Sequence, residues 1–529
     1  MKSRIVVFVI VAFSCFNACK NGDSKTKYLE RLSTLDTGYA SLIPGSFIDS
    51  SSLTIDSTLI PLFFIQYPAL KIFEKEVYSF YQKRSFDLAW HDSSGRIEAF
   101  QLLFNRSIQM EADGLAEEVP YLEDFKRFAN KSTNDSTAFV DLMQTAQYFH
   151  FANHVLGGLS EEKLVRLEWH IPKPKRSYVD LLQELISGNQ EVLNKSMYPQ
   201  YFLLKHSLLQ LKKIQDEGGW PSIAPVTSSL KIGTTDLLVR KVKKILAVMG
   251  DYESKDSSTF FSKEFEQAVK YFQNRHGIES DGVIGSQTIR ALNVPVEERI
   301  KQVILNMERC RWLPILPEED YLLVNIPAFS LRVMHEDSLV LACEAIVGKE
   351  TNKTAIFKGT MQFIVFNPYW NVPDNILNKE VLPLISKNGN YLKDNHMEWH
   401  KGRLRQRPGP DNALGKIKFL FPNPFDIYLH DTPAKGLFKE QKRAFSHGCI
   451  RISAPYRLAN YLLRDQKGWT TQKIDELLET STEYYVKLDK GIPVYILYLT
   501  SFVDDHGKLN FREDLYNRDP SLQKMLMKN

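Results

Sequence analysis

The hydrophobic period of this chain changes once, and that change limits the folds open to it. From about residue 61 to 295 the apolar residues recur at intervals of three and four, the mark of helices with one buried face. From about residue 320 the interval drops to two. "YLLVNI", "LRVMH", "MQFIVFN", "FDIYLH", "YYVKL" and "VYILYL" are strand-like and rich in β-branched and aromatic residues. Helices first and strands later predict an α+β chain, and 529 residues are too many for one core.

The helical part divides in two. Residues 61–229 form a larger helical domain. In "STAFVDLMQTAQYFHFANHVLGG" Phe139, Leu142, Met143, Ala146 and Phe149 line one face; "YFLLKHSLLQLKKIQDEGGWPSI" repeats the pattern and stops at Gly218 and Gly219. His150, His154 and His206 lie in these helices without a carboxylate or cysteine at metal spacing, so they read as packing or surface residues. Residues 230–295 form a smaller unit. One helix carries Leu238, Val242, Ile245 and Leu246 on one side. A second aligns Phe265, Ala268, Val269 and Phe272, with Ser262 as its cap and Gly277 at its end. Then "DGVIGSQTIRALN" gives a turn and a short third helix. Two helices, a turn with Asp281, Gly282, Gly285 and Thr288, and a third helix resemble a three-helix peptidoglycan-binding domain; a generic packing module is the alternative.

The chain starts with "MKSR" and a short apolar run, "IVVFVIVAFSCF", too short to span a bilayer. It ends in "FNACK". A small residue before a cysteine at that point looks like a lipoprotein signal over residues 1–19, with Cys19 as the lipidated N-terminus after cleavage. Cys15 after Ser14 is the rival site, and a plain secretory signal the alternative. Residues 20–60, rich in Ser, Thr and Asp, read as a tether. The formal net charge of +4 argues against the basic face that nucleic acid requires.

Cys310, Cys343 and Cys449 remain in the mature chain. An odd count in an oxidising compartment leaves one thiol free or externally paired. Cys310 and Cys343 read as a pair or as buried free thiols. Cys449 sits in "AFSHGCIRIS", where a loop enters regular structure before "SAPYRLANYLL", a helix with Ser453 as its expected cap. His447 is two positions away, and His430 ends a strand nineteen residues upstream. Neutral imidazole near a thiol is the natural base for it. Three other readings stand beside a nucleophile: a zinc site with His430 that lacks a fourth ligand, packing alone, and half of a disulfide.

His430, a gap of fifteen residues, then Ser446-His447-Gly448-Cys449-Ile450-Arg451 resemble the signature of the L,D-transpeptidase family. The flanks "NPYWNVP", "NALGKIKFLFPN" and "IYLHDTPAK", with "GGWPSI" before the small unit, are similar to its large members. Those carry a helical scaffold, an inserted peptidoglycan-binding domain and a capping subdomain. The resemblance runs from about residue 60 to 500 and is weakest in the first helical region.

The resemblance implies a mostly-β catalytic domain at 320–503, with a capping insertion at 375–412 as a candidate lid, followed by a C-terminal tail at 504–529; the insertion itself begins helical ("DNILNKEVLPLIS") and reads as polar and irregular after that. It makes Cys449 the acylating nucleophile and His430 the general base, held by a carbonyl or side chain at Asp431. The N–H groups of Gly448 and Cys449 become oxyanion donors, with Tyr428, Ser446 and His447 in support. Arg451 anchors the loop or meets a substrate carboxylate, and Trp370 lines the donor groove or is a buried aromatic. The implied reaction forms 3→3 cross-links in peptidoglycan and releases terminal D-alanine, with no metal or organic cofactor. Water or a protein amine as acceptor, or a wall-binding scaffold without catalysis, are the alternatives. The implied partners are peptidoglycan stem peptides and glycan, a membrane through the lipid anchor, and cell-wall synthesis proteins, in the cell envelope or periplasm; no nucleic acid is expected.

Overall fold

The structure is a computed structural model describing residues 53–527 apart from 93–94, 131–135, 190–191, 193–195, 226–227, 317–318 and 337. The signal segment, with Cys15 and Cys19, and the tether as far as residue 52 lie outside the described residues.

The N-terminal domain is helical and wraps around α1 (Thr137–Ala152). This helix is buried from Val140 to Ala152, on every side rather than on the one face its period suggests. Its interior polar groups explain how that is tolerated. The Asp141 carboxylate accepts the backbone N–H groups of Ala89 and Trp90, both at 2.9 Å, and the Tyr81 hydroxyl at 2.6 Å. A buried carboxylate so surrounded keeps its acceptor sites filled. The helix α2 (Gln200–Asp216) ends before Gly218 and Gly219, whose φ of +98° and +67° close it in the left-handed region. A short strand, β1 (Trp169–His170), leaves this helical domain and pairs with the catalytic sheet, which its helical surroundings do not foreshadow.

The small unit comprises α3 (Leu237–Val248), α4 (Lys263–Arg275) and α5 (Ser286–Leu292), with Val239, Val242, Ile245, Phe265, Val269, Phe272, Ile289 and Leu292 as its own core. Ser262 caps α4 by accepting the Phe265 N–H at 3.1 Å. In the following turn, the side chain of Gln273 gathers Asp281 Oδ1 (2.8 Å), the Gly282 N–H (2.8 Å) and Thr288 Oγ1 (3.0 Å). That amide is why the turn needs those residue types at that spacing.

Helix α6 (Val296–Arg311) follows and is the hub of the molecule. It touches the helical domain through Glu308, whose Oε1 accepts the Leu159 N–H at 2.7 Å, and the end of the sheet through Asn306, whose Oδ1 accepts the Thr500 N–H at 2.9 Å.

The strands are β2 (Tyr321–Asn325), β3 (Ser330–His335), β4 (Ser338–Gly348), β5 (Ile356–Phe366), β6 (Trp370–Asn371), β7 (Met397–His400), β8 (Arg403–Gln406), β9 (Ile417–Leu420), β10 (Leu429–His430), β11 (Ala444–Ser446), β12 (Ile450–Ile452) and β13 (Tyr484–Leu497). In the main sheet the order is β9-β10-β12-β4-β3-β2-β13-β5-β1. Because β9 also pairs with β5, eight of these strands close on themselves, with β1 outside the ring and β11 beside β4. The pair β10–β12 is parallel and sets Leu429 against Ile450 and His430 against Arg451.

Three sequence expectations change here. Helix α7 (Pro455–Leu463) has Ala454, not Ser453, as its N-cap, with Pro455 at the first position; the Ser453 hydroxyl instead donates to Glu344 Oε2 at 2.5 Å. Proline at N1 needs no N–H acceptor, so the serine is free to tie strand β4. The polar half of the insertion, read as irregular, forms the hairpin β7–β8, which with β6 makes a three-stranded sheet over Val372, Val381, Met397 and Leu404. Residues 504–529, read as a tail, contain strand β15 (Leu509–Phe511), which pairs with β14 (Ser501–Val503), and helix α8 (Asp519–Leu526). Cys310 and Cys343 are free and buried, and burial pushes both thiols up, as packing residues should behave.

Candidate active site

The site forms where β10 and β12 begin side by side. The loop before β10 is folded by Asn423, whose Oδ1 accepts the Phe425 and Ile427 N–H groups at 3.0 and 3.2 Å, while its amide donates to the Phe421 and Ile427 carbonyls. Asp426 follows in the left-handed region at φ +53°. Its carbonyl lies 3.5 Å from the half-buried Cys449 sulfur and accepts the thiol. The loop before β12 turns through Gly448 at φ +119°, where an L side chain is strained.

Ser446 holds that turn. Its hydroxyl donates to the Cys449 carbonyl (2.5 Å) and accepts the Gly448 N–H (3.1 Å). The Gly448 N–H, an expected oxyanion donor, is thus engaged within the turn. The Cys449 N–H has no protein acceptor among the described residues. Thr354 clamps the turn from below, donating to the Gly448 carbonyl (2.8 Å) and accepting the Gly348 N–H (2.9 Å). Tyr516, from the segment read as a tail, donates to the Gly348 carbonyl at 2.7 Å and accepts the Thr354 N–H at 3.2 Å.

His430 is buried, and its Nδ1 lies 2.5 Å from the Asp431 backbone oxygen. A carbonyl only accepts, so Nδ1 carries the proton in the neutral ring and Nε2 is left with its lone pair. The Asp431 carboxylate is used elsewhere: it accepts the Lys416 N–H at 2.9 Å and pairs with Lys435. Gly415, at φ +61°, must be glycine, since a Cβ there would lie 2.4 Å from Asp431 Cγ. Burial, and then the Arg451 charge, pull the His430 imidazole down to about 3, so it is neutral through the physiological range.

Two cations share the site with the thiol. Lys418 lies opposite His430 in the β9–β10 register, with its ammonium 3.8 Å from the centre of the Tyr428 ring. Arg451 is opposite His430 on the other side; among the described residues its guanidinium has no hydrogen-bond partner, and its Nε is buried. Burial pushes the Tyr428 hydroxyl up, and the thiolate charge of Cys449 adds to this. Burial raises the thiol, while the N–H and hydroxyl of Tyr428 and the Lys418 charge favour its ionised form. The face thus joins Tyr428, His430, Cys449, Arg451 and Lys418.

The other candidates lie further out. His447 points away from the turn to the insertion, where its Nε2 meets Glu380 Oε1 at 2.7 Å. Trp370 packs on the insertion's own apolar cluster. Sequence reasoning missed Lys418, Asp426, Thr354, Tyr516 and Glu380. For Lys418 a signal existed: the period of two puts Ile417 and Phe419 in the core and the lysine on the opposite, site-facing side. Cys19 lies outside the described residues.

Residues 319–496 match the family model described as the L,D-transpeptidase catalytic domain, residues 75–208 a scaffold domain, and residues 235–292 a "Putative peptidoglycan binding domain". A curated protein of Haemophilus influenzae, described as a "Putative L,D-transpeptidase", is 30% identical over 282 residues, which is 48% of this chain and 56% of that protein. The match thus spans just over half the length of that relative. Among solved structures, an L,D-transpeptidase from Mycobacterium smegmatis is similar at 16% identity over 34% of this chain and 58% of its own, with a TM-score of 0.20. Another, residues 123–326 of the L,D-transpeptidase from Xylanimonas cellulosilytica, is 15% identical over 52% of this chain and all of its own, with a TM-score of 0.19.

Proposed function

Since the chain belongs to the L,D-transpeptidase family, we propose that it forms 3→3 cross-links in peptidoglycan through a thioester on Cys449. The observation that carries this reading is the neutral His430. It is fixed in one tautomer by the Asp431 carbonyl and lies on the strand beside a free thiol, which sits two register positions before Arg451, the residue opposite His430. His430 takes the thiol proton as the sulfur attacks the carbonyl of the third residue of a tetrapeptide stem. The Cys449 N–H and the Tyr428 hydroxyl face the developing oxyanion; such donors supply about 3 kcal/mol each. The imidazolium returns the proton to the departing D-alanine amine, leaving the thioester. The amine of a second stem then attacks, forms the amide and frees the thiol, with His430 again moving the proton. Arg451, unpaired and half-buried, receives a stem carboxylate, and Lys418 steadies negative charge on sulfur. These substrates place the protein in the cell envelope, with Cys19 as the proposed lipid anchor.

Incubation of the full chain with purified disaccharide-tetrapeptides tests the reading, with products read by mass. A 3→3 dimer with loss of D-alanine is expected. Tripeptide alone would assign water as the acceptor, and an unchanged substrate would remove catalysis altogether.

The depressed His430 fixes a pH expectation. An imidazole with the ordinary value of about 6.5 is roughly 90% protonated at pH 5.5 and useless as a base. His430 stays neutral until the pH approaches 3. The rate at which a carbapenem acylates Cys449 is therefore expected to hold between pH 7.5 and 5.5. A tenfold fall across that interval would show the base to be an ordinary, solvated histidine.

The insertion is proposed to be a cap over the donor stem, tied to the nucleophile loop by His447 and Glu380. An exposed contact of this kind contributes at most about 1 kcal/mol. Glu380→Gln is thus expected to lower donor use by up to about fivefold while leaving the reaction of Cys449 with a small maleimide unchanged. Equal losses in both would point to a disturbed loop and not to capping.

A further inference from the structure

A cavity lies far in sequence from the thiol, between α2, the C-terminal ends of α3 and α4, the start of α6, and the β14–β15 hairpin. Its volume of about 510 Å³ falls within the range of small-molecule sites. Its lining holds three cations, Arg275, Arg299 and Lys508, against one carboxylate, Asp251. That carboxylate is already engaged: both its oxygens meet the guanidinium of Arg275. Among the described residues Arg299 has no such partner. It is more than nine-tenths buried, yet its guanidinium meets only the Gln302 side-chain oxygen (3.1 Å), the Ala291 carbonyl (3.3 Å) and the face of the Phe511 ring, 4.4 Å from its centre. Five N–H donors and a full charge are thus answered by two neutral oxygens and a ring. Burial and the neighbouring Arg275 charge pull Arg299 down to about 9, the expected response of a buried cation without a counter-ion. Lys508, half-buried on the hairpin, lies near enough for its charge to act on Asp251 but forms no ion pair within 4 Å among the described residues.

We propose that this cavity binds the free carboxylate of a short cell-wall stem peptide, with Arg299 and Lys508 as its cationic partners. The planar fork of an arginine matches a carboxylate in two parallel hydrogen bonds, as Arg275 and Asp251 do beside it. Leu211, Ile214 and Trp220 supply an apolar wall for the peptide's side chains, which a bare inorganic anion would not use. Because the lining comes from the helical domain, the small unit and the C-terminal hairpin together, an occupied cavity would hold these three parts in one arrangement. The carboxylate chemistry is independent of Cys449; only the source of the peptide rests on the function proposed above.

Calorimetric titration of the full chain with L-Ala-γ-D-Glu-meso-diaminopimelate tests this. The tripeptide lacks the terminal D-alanine and is not consumed as a donor. Saturable binding is expected for the parent and equally for Cys449→Ala. Arg299→Gln and Lys508→Gln should each weaken it at least tenfold, and amidation of the peptide's carboxylates should abolish it. Lys508 sits on a surface hairpin, so its variant keeps the test valid if Arg299→Gln melts early, and Arg299→Lys should recover part of the loss. Absence of saturable binding by the parent, or unchanged binding by both cation variants, overturns the site. Equal binding of acetyl-trialanine overturns the stem assignment, and equal competition by inorganic phosphate overturns the peptide one. Binding that persists in a chain shown not to turn over tetrapeptides would refute the proposed activity and leave the cavity intact.

Discussion

Cys449→Ala is expected to remove acyl transfer completely, while His430→Ala slows it by about 10²–10⁴-fold, the usual worth of a positioned general base. The two losses differ in kind. Without the sulfur no thioester can form. Without the imidazole the thiol remains, and a residual rate comes from the small thiolate fraction that the Tyr428 donors and Lys418 stabilise. His447→Ala should cost less than His430→Ala, because its ring faces Glu380 on the insertion and not the sulfur. Intact-mass spectrometry after exposure to a carbapenem reads all three: full adduct on the parent, slow adduct with His430→Ala, near-parental adduct with His447→Ala, none with Cys449→Ala. Cross-linking by a Cys449→Ala protein would sink the assignment. A larger loss for His447→Ala than for His430→Ala would exchange the two histidines' roles.

The neighbouring placement of His430 and Cys449 was legible because it is local. His430 and Cys449 are brought together by two adjacent parallel strands, and period-two segments announce both. The tautomer of His430 was nearly legible too, since its fixing acceptor is the next residue in the chain. What the sequence concealed depends on distance. Thr354 and Tyr516 steady the Gly448 turn from 94 and 68 positions away, and nothing in "TNKTA" or "DLYNR" marks them for it. The Gly448 N–H, expected to serve an oxyanion, is engaged for a local reason that spacing cannot express. A serine two residues earlier turns its hydroxyl inward and accepts a hydrogen bond from that N–H. Helix α1 misled in another way. Its apolar stripe is real, but Asp141, Gln144, Thr145 and Gln147 on the remaining faces are buried as well, because other helices surround them. A polar residue reads as solvent-facing until its partner is known, and here the partners of Asp141 are backbone groups some fifty residues away.

Glu308→Ala should destabilise the molecule by about 3–5 kcal/mol, the cost of leaving a buried charge without its partner. Glu308 and Arg311 are both fully buried on α6, paired at 2.8 Å. The Glu308 carboxylate also accepts the Leu159 N–H and the Trp312 indole N–H, each at 2.7 Å. Removing it orphans two neutral donors and one cation at once. Arg311 would keep only the Val155 and Asp113 carbonyls and the Tyr201 hydroxyl as neutral acceptors. Replacing both charges by apolar groups should hurt much less, since a buried pair repays its desolvation poorly and packed side chains of similar size replace it well. Glu308→Leu with Arg311→Met is therefore expected to recover most of the loss. The readout is the midpoint of urea unfolding followed by tryptophan fluorescence, which Trp312 reports from within the network. A single Glu308→Ala change costing under about 1 kcal/mol would mean that water reaches the cluster and that it is not dry. Because Leu159 belongs to the helical domain and α6 leads into the sheet, the same variant should let those two parts unfold at separate midpoints. A single shared transition, lowered but intact, would show that the union of the two domains rests on their apolar interface rather than on this carboxylate.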